Sequence, residues 1–181
     1  MIGVLRRRVM GVQQGGILPS GYTLLDELSV SSGYYKIETD IGKGQNRTFK
    51  VFMTVKYLDV DASKRQLMGY ERDPWFGCDK GIWKGSRVVS MTPAQNSAVI
   101  ANTWYDVVFE GTTGSGYTEN RLVLFSLANY HQYQNYASIK GQVEVYVDNV
   151  MVGNFVPCKN PSNISGVYNL ITNNFCPLVT Y

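Results

Sequence analysis

Residues Leu18 to Ile41 read LPSGYTLLDELSVSSGYYKIETDI. The first half holds turn and helix formers, and the second half alternates. Leu18-Pro19-Ser20-Gly21 is a turn, because proline fixes one φ and glycine frees the next. Tyr22 to Leu28 fits one helical turn or a first strand equally well. From Tyr35 the pattern is settled: Tyr35, Ile37, Thr39 and Ile41 point one way, and Lys36, Glu38, Asp40 and Gly42 the other. Successive side chains of an extended chain point to opposite faces, so this is a half-buried strand.

The same period continues outward from that stretch. In TFKVFMTVKY, Thr48 to Tyr57, the residues Phe49, Val51, Met53 and Val55 alternate with polar partners. Further strands are expected at 65–70, 74–78, 87–91, 97–101, 104–110, 121–127 and 140–148. Turn residues connect them: Lys43-Gly44-Gln45-Asn46, Asp79-Lys80-Gly81, Thr92-Pro93 and Gly111 to Gly116. Short strands with turns every ten or so residues, and no long amphipathic helix, predict an all-β antiparallel sandwich or jelly roll.

Composition agrees. The chain of 181 residues suits one domain, with 44% apolar and 17% charged residues, 13 Tyr, 18 Gly and a single His. A net charge of +3 is too small to imply nucleic-acid binding. No stretch approaches the ~18 apolar residues of a membrane helix. The one basic cluster is Arg6-Arg7-Arg8, in MIGVLRRRVMGVQQGG, which lacks the apolar run of a signal peptide. Residues 1–17 therefore read as a solvated tail or as a basic arm that orders against another subunit. Cys78, Cys158 and Cys176 show no CxxC spacing and lie far from His131, which argues against zinc. A Cys158–Cys176 disulfide suits an oxidising setting; buried free thiols are the expected state.

The motifs at the two ends resemble those of laminin-G-like, concanavalin-A-like jelly-roll domains, found in phage virion proteins and gut-bacterial surface proteins. The resemblance rests on Leu18, Pro19, Gly21 and Tyr22, then Ser31, Ser32, Gly33, Tyr35, Ile37, Thr39 and Ile41. At the other end it rests on Phe155-Val156-Pro157-Cys158, Gly166-Val167-Tyr168-Asn169-Leu170 and Asn173-Asn174-Phe175. Trp104-Tyr105-Asp106-Val107-Val108-Phe109 and Lys140 to Asp148 match strands between them. Asn169 and Cys176 stand where the family pattern has Asp and Tyr, in a segment expected to cover the domain's edge. The resemblance implies a jelly roll over residues 18–181 behind an arm at 1–17, with Trp104 in the core. It does not imply one activity, since this fold hosts lectins, glycanases and structural modules.

Catalytic patterns are sparse. A glycanase on such a sandwich needs Glu-x-Asp-x-Glu along one strand, whereas Glu144-Val145-Tyr146-Val147-Asp148 has tyrosine at the centre. That leaves Glu144 and Asp148 ~13 Å apart on an extended strand, too far for either glycosidase geometry. No GxSxG elbow accompanies His131, and no phosphate-cradling glycine loop opens a helix. Asp59-Val60-Asp61 leads into a loop and is the better candidate for calcium, against the ordinary reading of solvated turn acids. No other cofactor is expected. Asn46-Arg47-Thr48 and Asn163-Ile164-Ser165 match a glycosylation sequon without a secretory signal.

The most informative polar segment runs from Tyr130 to Tyr136. Tyr130, His131, Tyr133 and Tyr136 offer flat rings and Gln132, Gln134 and Asn135 offer amides, the combination that recognises sugars. The same residues suit a protein contact, or a loop tucked beneath the sandwich. Trp75 and Trp83 flank a hairpin, and one of the two is expected in the core. The expectation is a non-enzymatic phage virion-associated structural protein at the particle surface. Arg6, Arg7 and Arg8 would anchor it to other virion proteins, or it would self-associate; Trp75, Tyr130, His131, Tyr133, Asn135 and Tyr136 would recognise a polysaccharide or a partner. The alternative is a bacterial surface carbohydrate-binding module or glycan-active enzyme.

Overall fold

A computed structural model describes residues 17–30, 34–38, 46–61, 65–70, 74–113, 121–125 and 136–179. These form fourteen strands and no helix. They are β1 (Thr23–Leu24), β2 (Leu28–Val30), β3 (Tyr34–Glu38), β4 (Thr48–Tyr57), β5 (Arg65–Tyr70), β6 (Trp75–Asp79) and β7 (Ile82–Ser86). The chain continues with β8 (Val88–Thr92), β9 (Trp104–Thr112), β10 (Arg121–Leu124), β11 (Ala137–Val147), β12 (Val150–Lys159), β13 (Ser165–Asn169) and β14 (Asn174–Val179). Strand β4 has the bounds its alternation predicts, with Phe49, Val51, Met53, Val55 and Tyr57 buried. The strand expected at 97–101 is instead a loop, with Asn96 and Asn102 in left-handed conformation at its ends. Its backbone bonds go to β7, where Trp83 N donates to Ser97 O and Val99 N to Gly81 O.

Every pairing is antiparallel, in the order β7-β6-β5-β10-β3-β14-β13-β12-β11-β4-β9-β8. The path folds over on itself. Phe76 of β6 stacks on Phe109 of β9 at 4.6 Å, and Trp83 of β7 sits edge-on to Tyr57 and Tyr105, residues remote in the path. Two layers therefore face each other as a β-sandwich: β7-β6-β5-β10-β3, and the larger sheet β13-β12-β11-β4-β9-β8. Strand β14 joins them, pairing with β13 through Gly166↔Pro177 and with β3 through Leu178↔Tyr35. The closing segment expected at an edge is thus central. On the far side the chain crosses directly from β7 to β8 at Arg87, whose left-handed backbone turns the corner.

The opening stretch is built into the larger sheet. Strand β1 pairs with β12 (Leu24↔Cys158) and β2 with β11 (Ser29↔Ser138), so Leu18 to Val30 stitches across the place where β11 and β12 part. Leu18, Tyr22 and Leu24 pack on Val156, Cys158 and Tyr168, forming a small cluster on the outer face, separate from the main core. Tyr22 lies edge-on to Tyr168 at 5.1 Å and to Phe175 at 5.7 Å. The Pro19 turn closes with Tyr22 N donating to Pro19 O, and Gly21 adopts φ +84° against Pro161.

The three cysteines are buried thiols. Cys158 belongs to the outer cluster, whereas Cys176 belongs to the main core. Strand β13 lies between their strands, which sets their Cα atoms roughly 9 Å apart and beyond disulfide reach.

Candidate functional site: the open half of the larger sheet

The lead-in covers the outer face of β12, β13 and β14. Among the described residues the lead-in reaches the outer face of β11, β4 and β9 only at its Ser138 end, through Glu27 and Ser29. The side chains of this face follow from strand register. Lys56 stands between Ser138 and Trp104, and Thr54 between Lys140 and Asp106. Phe52 lies between Glu144 and Val108, and Lys50 between Tyr146 and Glu110. Four rows three residues wide thus make a strip ~20 Å long. A bulge between Lys140 and Glu144, with Gly141 at φ +67°, keeps the Lys140 and Glu144 side chains on this face.

Contacts hold the strip flat. Lys56 Nζ lies 4.7 Å from the Trp104 ring centroid and 3.0 Å from Glu27 Oε1, and Lys140 Nζ lies 4.4 Å from the same centroid. Hydrogen bonding from Ser138, together with Lys56, holds the Glu27 carboxyl below its ordinary range. The Thr54 hydroxyl donates to Asp106 Oδ1 at 2.7 Å. Phe52 and Tyr146 meet edge-to-face at 5.7 Å, Lys50 pairs with Glu110 at 3.4 Å, and the Tyr146 hydroxyl donates to Glu144 Oε2 at 2.8 Å. Aromatic carbon and partnered polar groups alternate along rigid strands. That surface offers C–H stacking together with donors and acceptors fixed in place.

Trp104 is therefore not a core residue. It opposes Lys56, an outward position of β4, while Val107 and Phe109 of its own strand are buried. Asp148 lies past the end of β11 in a tight turn. Its Oδ2 accepts from Arg47 Nε at 2.8 Å and its Oδ1 from Thr48 N at 2.9 Å, which lowers its pKa. Glu144 is held by Tyr146, so the two carboxylates of this strand serve different neighbours.

The residues proposed from sequence fall in different places. Tyr136 is half-buried ahead of β11, and its carbonyl accepts from Leu58 N. The Asp59–Asp61 turn follows Leu58 directly, so Tyr136 and these acids share one end of the sandwich. Asp59 Oδ1 accepts from Asp61 N, fastening the turn. Among the described residues no group of three or more His, Cys, Asp or Glu converges as a metal site. Trp75, half-buried on β6, pairs with Gly69 and Ser86 beside Arg87, at the opposite end. The length of β9, about 27 Å, separates the two ends. Arg6, Arg7, Arg8, Tyr130, His131, Tyr133 and Asn135 lie outside the described residues. The open strip left one signal in the sequence: Phe52 and Trp104 occupy outward positions of alternating strands.

Comparison with protein-family models, curated proteins and solved structures finds no match.

Proposed function

We propose that this chain is a non-enzymatic phage virion-associated structural protein on a concanavalin-A-like (laminin-G-like) jelly roll, adhering to host or mucosal glycans at the particle surface. The observation that carries the reading is the open strip of β11, β4 and β9. It has Trp104 at one end, Phe52 and Tyr146 near the other, and charged side chains between them already partnered. A sugar chain laid along β4 would stack on the rings and exchange hydroxyl hydrogen bonds with Asp106, Lys140 and Glu144. The virion assignment draws support from the resemblance of the two end motifs. On this reading Arg6, Arg7 and Arg8 anchor the chain to other virion proteins, and Trp75, Tyr130, His131, Tyr133, Asn135 and Tyr136 contribute to recognition.

The test is mass spectrometry and cryo-EM of purified particles, followed by binding of the protein to immobilised mucin and bacterial polysaccharides. Many ordered copies on the particle, and glycan binding lost in Trp104→Ala, are expected. Absence from particles sinks the virion assignment. Binding that Trp104→Ala leaves intact removes the strip from the mechanism.

A further inference from the structure

The two ends of the strand path are treated differently by the chain. The outer edge of β7 is covered by the returning segment 95–99: Asn96 N donates to Trp83 O, Trp83 N to Ser97 O, Val99 N to Gly81 O, and Gln95 Nε2 to Gly85 O. Strand β8, the other end of the path, pairs among the described residues with β9 alone. No described segment covers its second edge, where Ser90 and Thr92 are exposed and Val89 is 60% exposed. A free edge is a row of unpaired N–H and C=O groups, and proteins usually blunt it with charge, proline or a bulge. Here a bulge falls at Val89 and Pro93 ends the strand, but Val88-Val89-Ser90-Met91-Thr92 carries no charge.

The chain leading into and out of this edge carries one sign of charge, although Glu110 stands opposite Ser90 on β9. From Lys80 to Tyr105 the chain contains Lys80, Lys84 and Arg87 and no Asp or Glu. Lys80 and Arg87 are exposed, and Lys84 Nζ donates to Asn96 Oδ1. On the neighbouring strand Glu110 pairs with Lys50 and Asp106 with Thr54, both turned toward β4. Asp79 and Asp106 flank this stretch in sequence.

We propose that the free edge of β8 receives an extended acidic segment of a partner protein as an added strand. Backbone hydrogen bonds to β8 give the affinity, Val89 gives an apolar contact, and Lys84 and Arg87 select acidic side chains. The site lies apart from the Trp104 strip and operates with or without glycan binding.

The test uses the full chain and two fluorescent nine-residue peptides, one alternating Glu with Val and its twin with Lys in place of Glu. Hydrogen-exchange mass spectrometry locates the contact. The Glu peptide should bind at low salt, slow amide exchange over 88–92, and outcompete the Lys twin by at least about ten-fold. Lys84→Glu with Arg87→Glu should reverse that preference, a gain an unfolded variant cannot show, and Trp104→Ala should leave it unchanged. Equal affinity for the twins, or unchanged exchange over 88–92, overturns the proposal. Protection of 88–92 that appears with rising concentration of the chain alone assigns the edge to a second copy and overturns the acidic partner.

Discussion

The two halves of the larger sheet share one backbone plan and differ in what stands on their outward positions. On β12 and β13 these positions carry Val156, Cys158 and Tyr168, which water solvates poorly, and the lead-in covers them with Leu18, Tyr22 and Leu24. On β4 and β9 they carry Lys50, Phe52, Thr54, Lys56, Trp104, Asp106 and Glu110, whose polar groups partner across the strands. An antiparallel sheet needs only one buried face, so the second face is free to be covered or used. The chain lays its opening stretch on one half and, among the described residues, leaves most of the other open. What separates a structural face from a working one is therefore a handful of side chains, at positions the backbone treats alike.

The largest expected effect lies in the covered half. At Gly166 an added Cβ would meet the Cys176 carbonyl and the Phe175 ring, both at 2.5 Å. Gly166→Ala must push β13 and β14 apart. It should cost about 3 kcal/mol, lowering Tm by roughly 6–12 °C in a scanning-calorimetry comparison. A shift below one degree would mean that Phe175 does not lie over Gly166.

Tyr22→Ala tests the cover itself, with an expected loss of about 2 kcal/mol. It also has a chemical readout. Burial, with a smaller contribution from Cys176, pushes the Cys158 pKa from 9.0 up to about 11, so the thiol is inert near neutrality. Alkylation at pH 8, mapped by mass spectrometry, should be slow at Cys158 in the native chain and at least about ten-fold faster in Tyr22→Ala. Because the folded state holds this proton more tightly than the unfolded chain, its contribution to stability is full below pH 9.0. It is lost as pH rises toward 11. Cys158→Val should flatten that part of the profile.

Legibility followed distance along the chain rather than which half of the sheet a residue joins. The turn at Leu18-Pro19-Ser20-Gly21 and the alternation of β4 are local signals, carried by proline, glycine and a period of two. Burial of Trp83 with Trp75 left half-buried follows from hairpin register, which fixed that one of the pair would be inside. The open strip was legible only in the outward positions of Phe52 and Trp104, because it exists as a surface only when three strands from distant parts of the chain come into register. Trp104 meets Lys56 and Lys140 across separations that no periodicity records, and the bulge at Gly141 shifts the register of β11 against β4 midway. The resemblance of its segment to a family strand placed Trp104 inside. The alternation of Tyr105, Val107 and Phe109 against Asp106, Val108 and Glu110 pointed outward instead.

On the open half, Trp104→Ala should separate folding from binding. The ring packs on Lys56 and Lys140 rather than in the core, so the loss of stability should stay below about 1 kcal/mol. Polysaccharide retention on affinity electrophoresis should nevertheless disappear. A loss of several kcal/mol would show that Trp104 is a covering residue like Tyr22, and would erase the distinction between the halves.

The smallest effect belongs to the corner where β11 ends. Asp148 joins Arg47 and the Thr48 amide beneath the strip, in a turn where its backbone is left-handed at φ +49°. Asn tolerates that conformation and keeps an acceptor for the amide, so Asp148→Asn removes little but the ion pair. The pair is solvent-exposed, which limits its worth to roughly 0.5 kcal/mol and makes it fade with added salt. The Asp148 carboxyl is held below its ordinary 3.8 by Arg47 and then by the amide. Its contribution is thus present above pH 3.8 and drains away as pH falls through the lowered value. Urea melts at pH 7 and pH 3 should differ by slightly less in Asp148→Asn than in the native chain. An equal difference would mean that the corner is held by the turn's backbone alone, and that the open half rests on its strands without an electrostatic fastener.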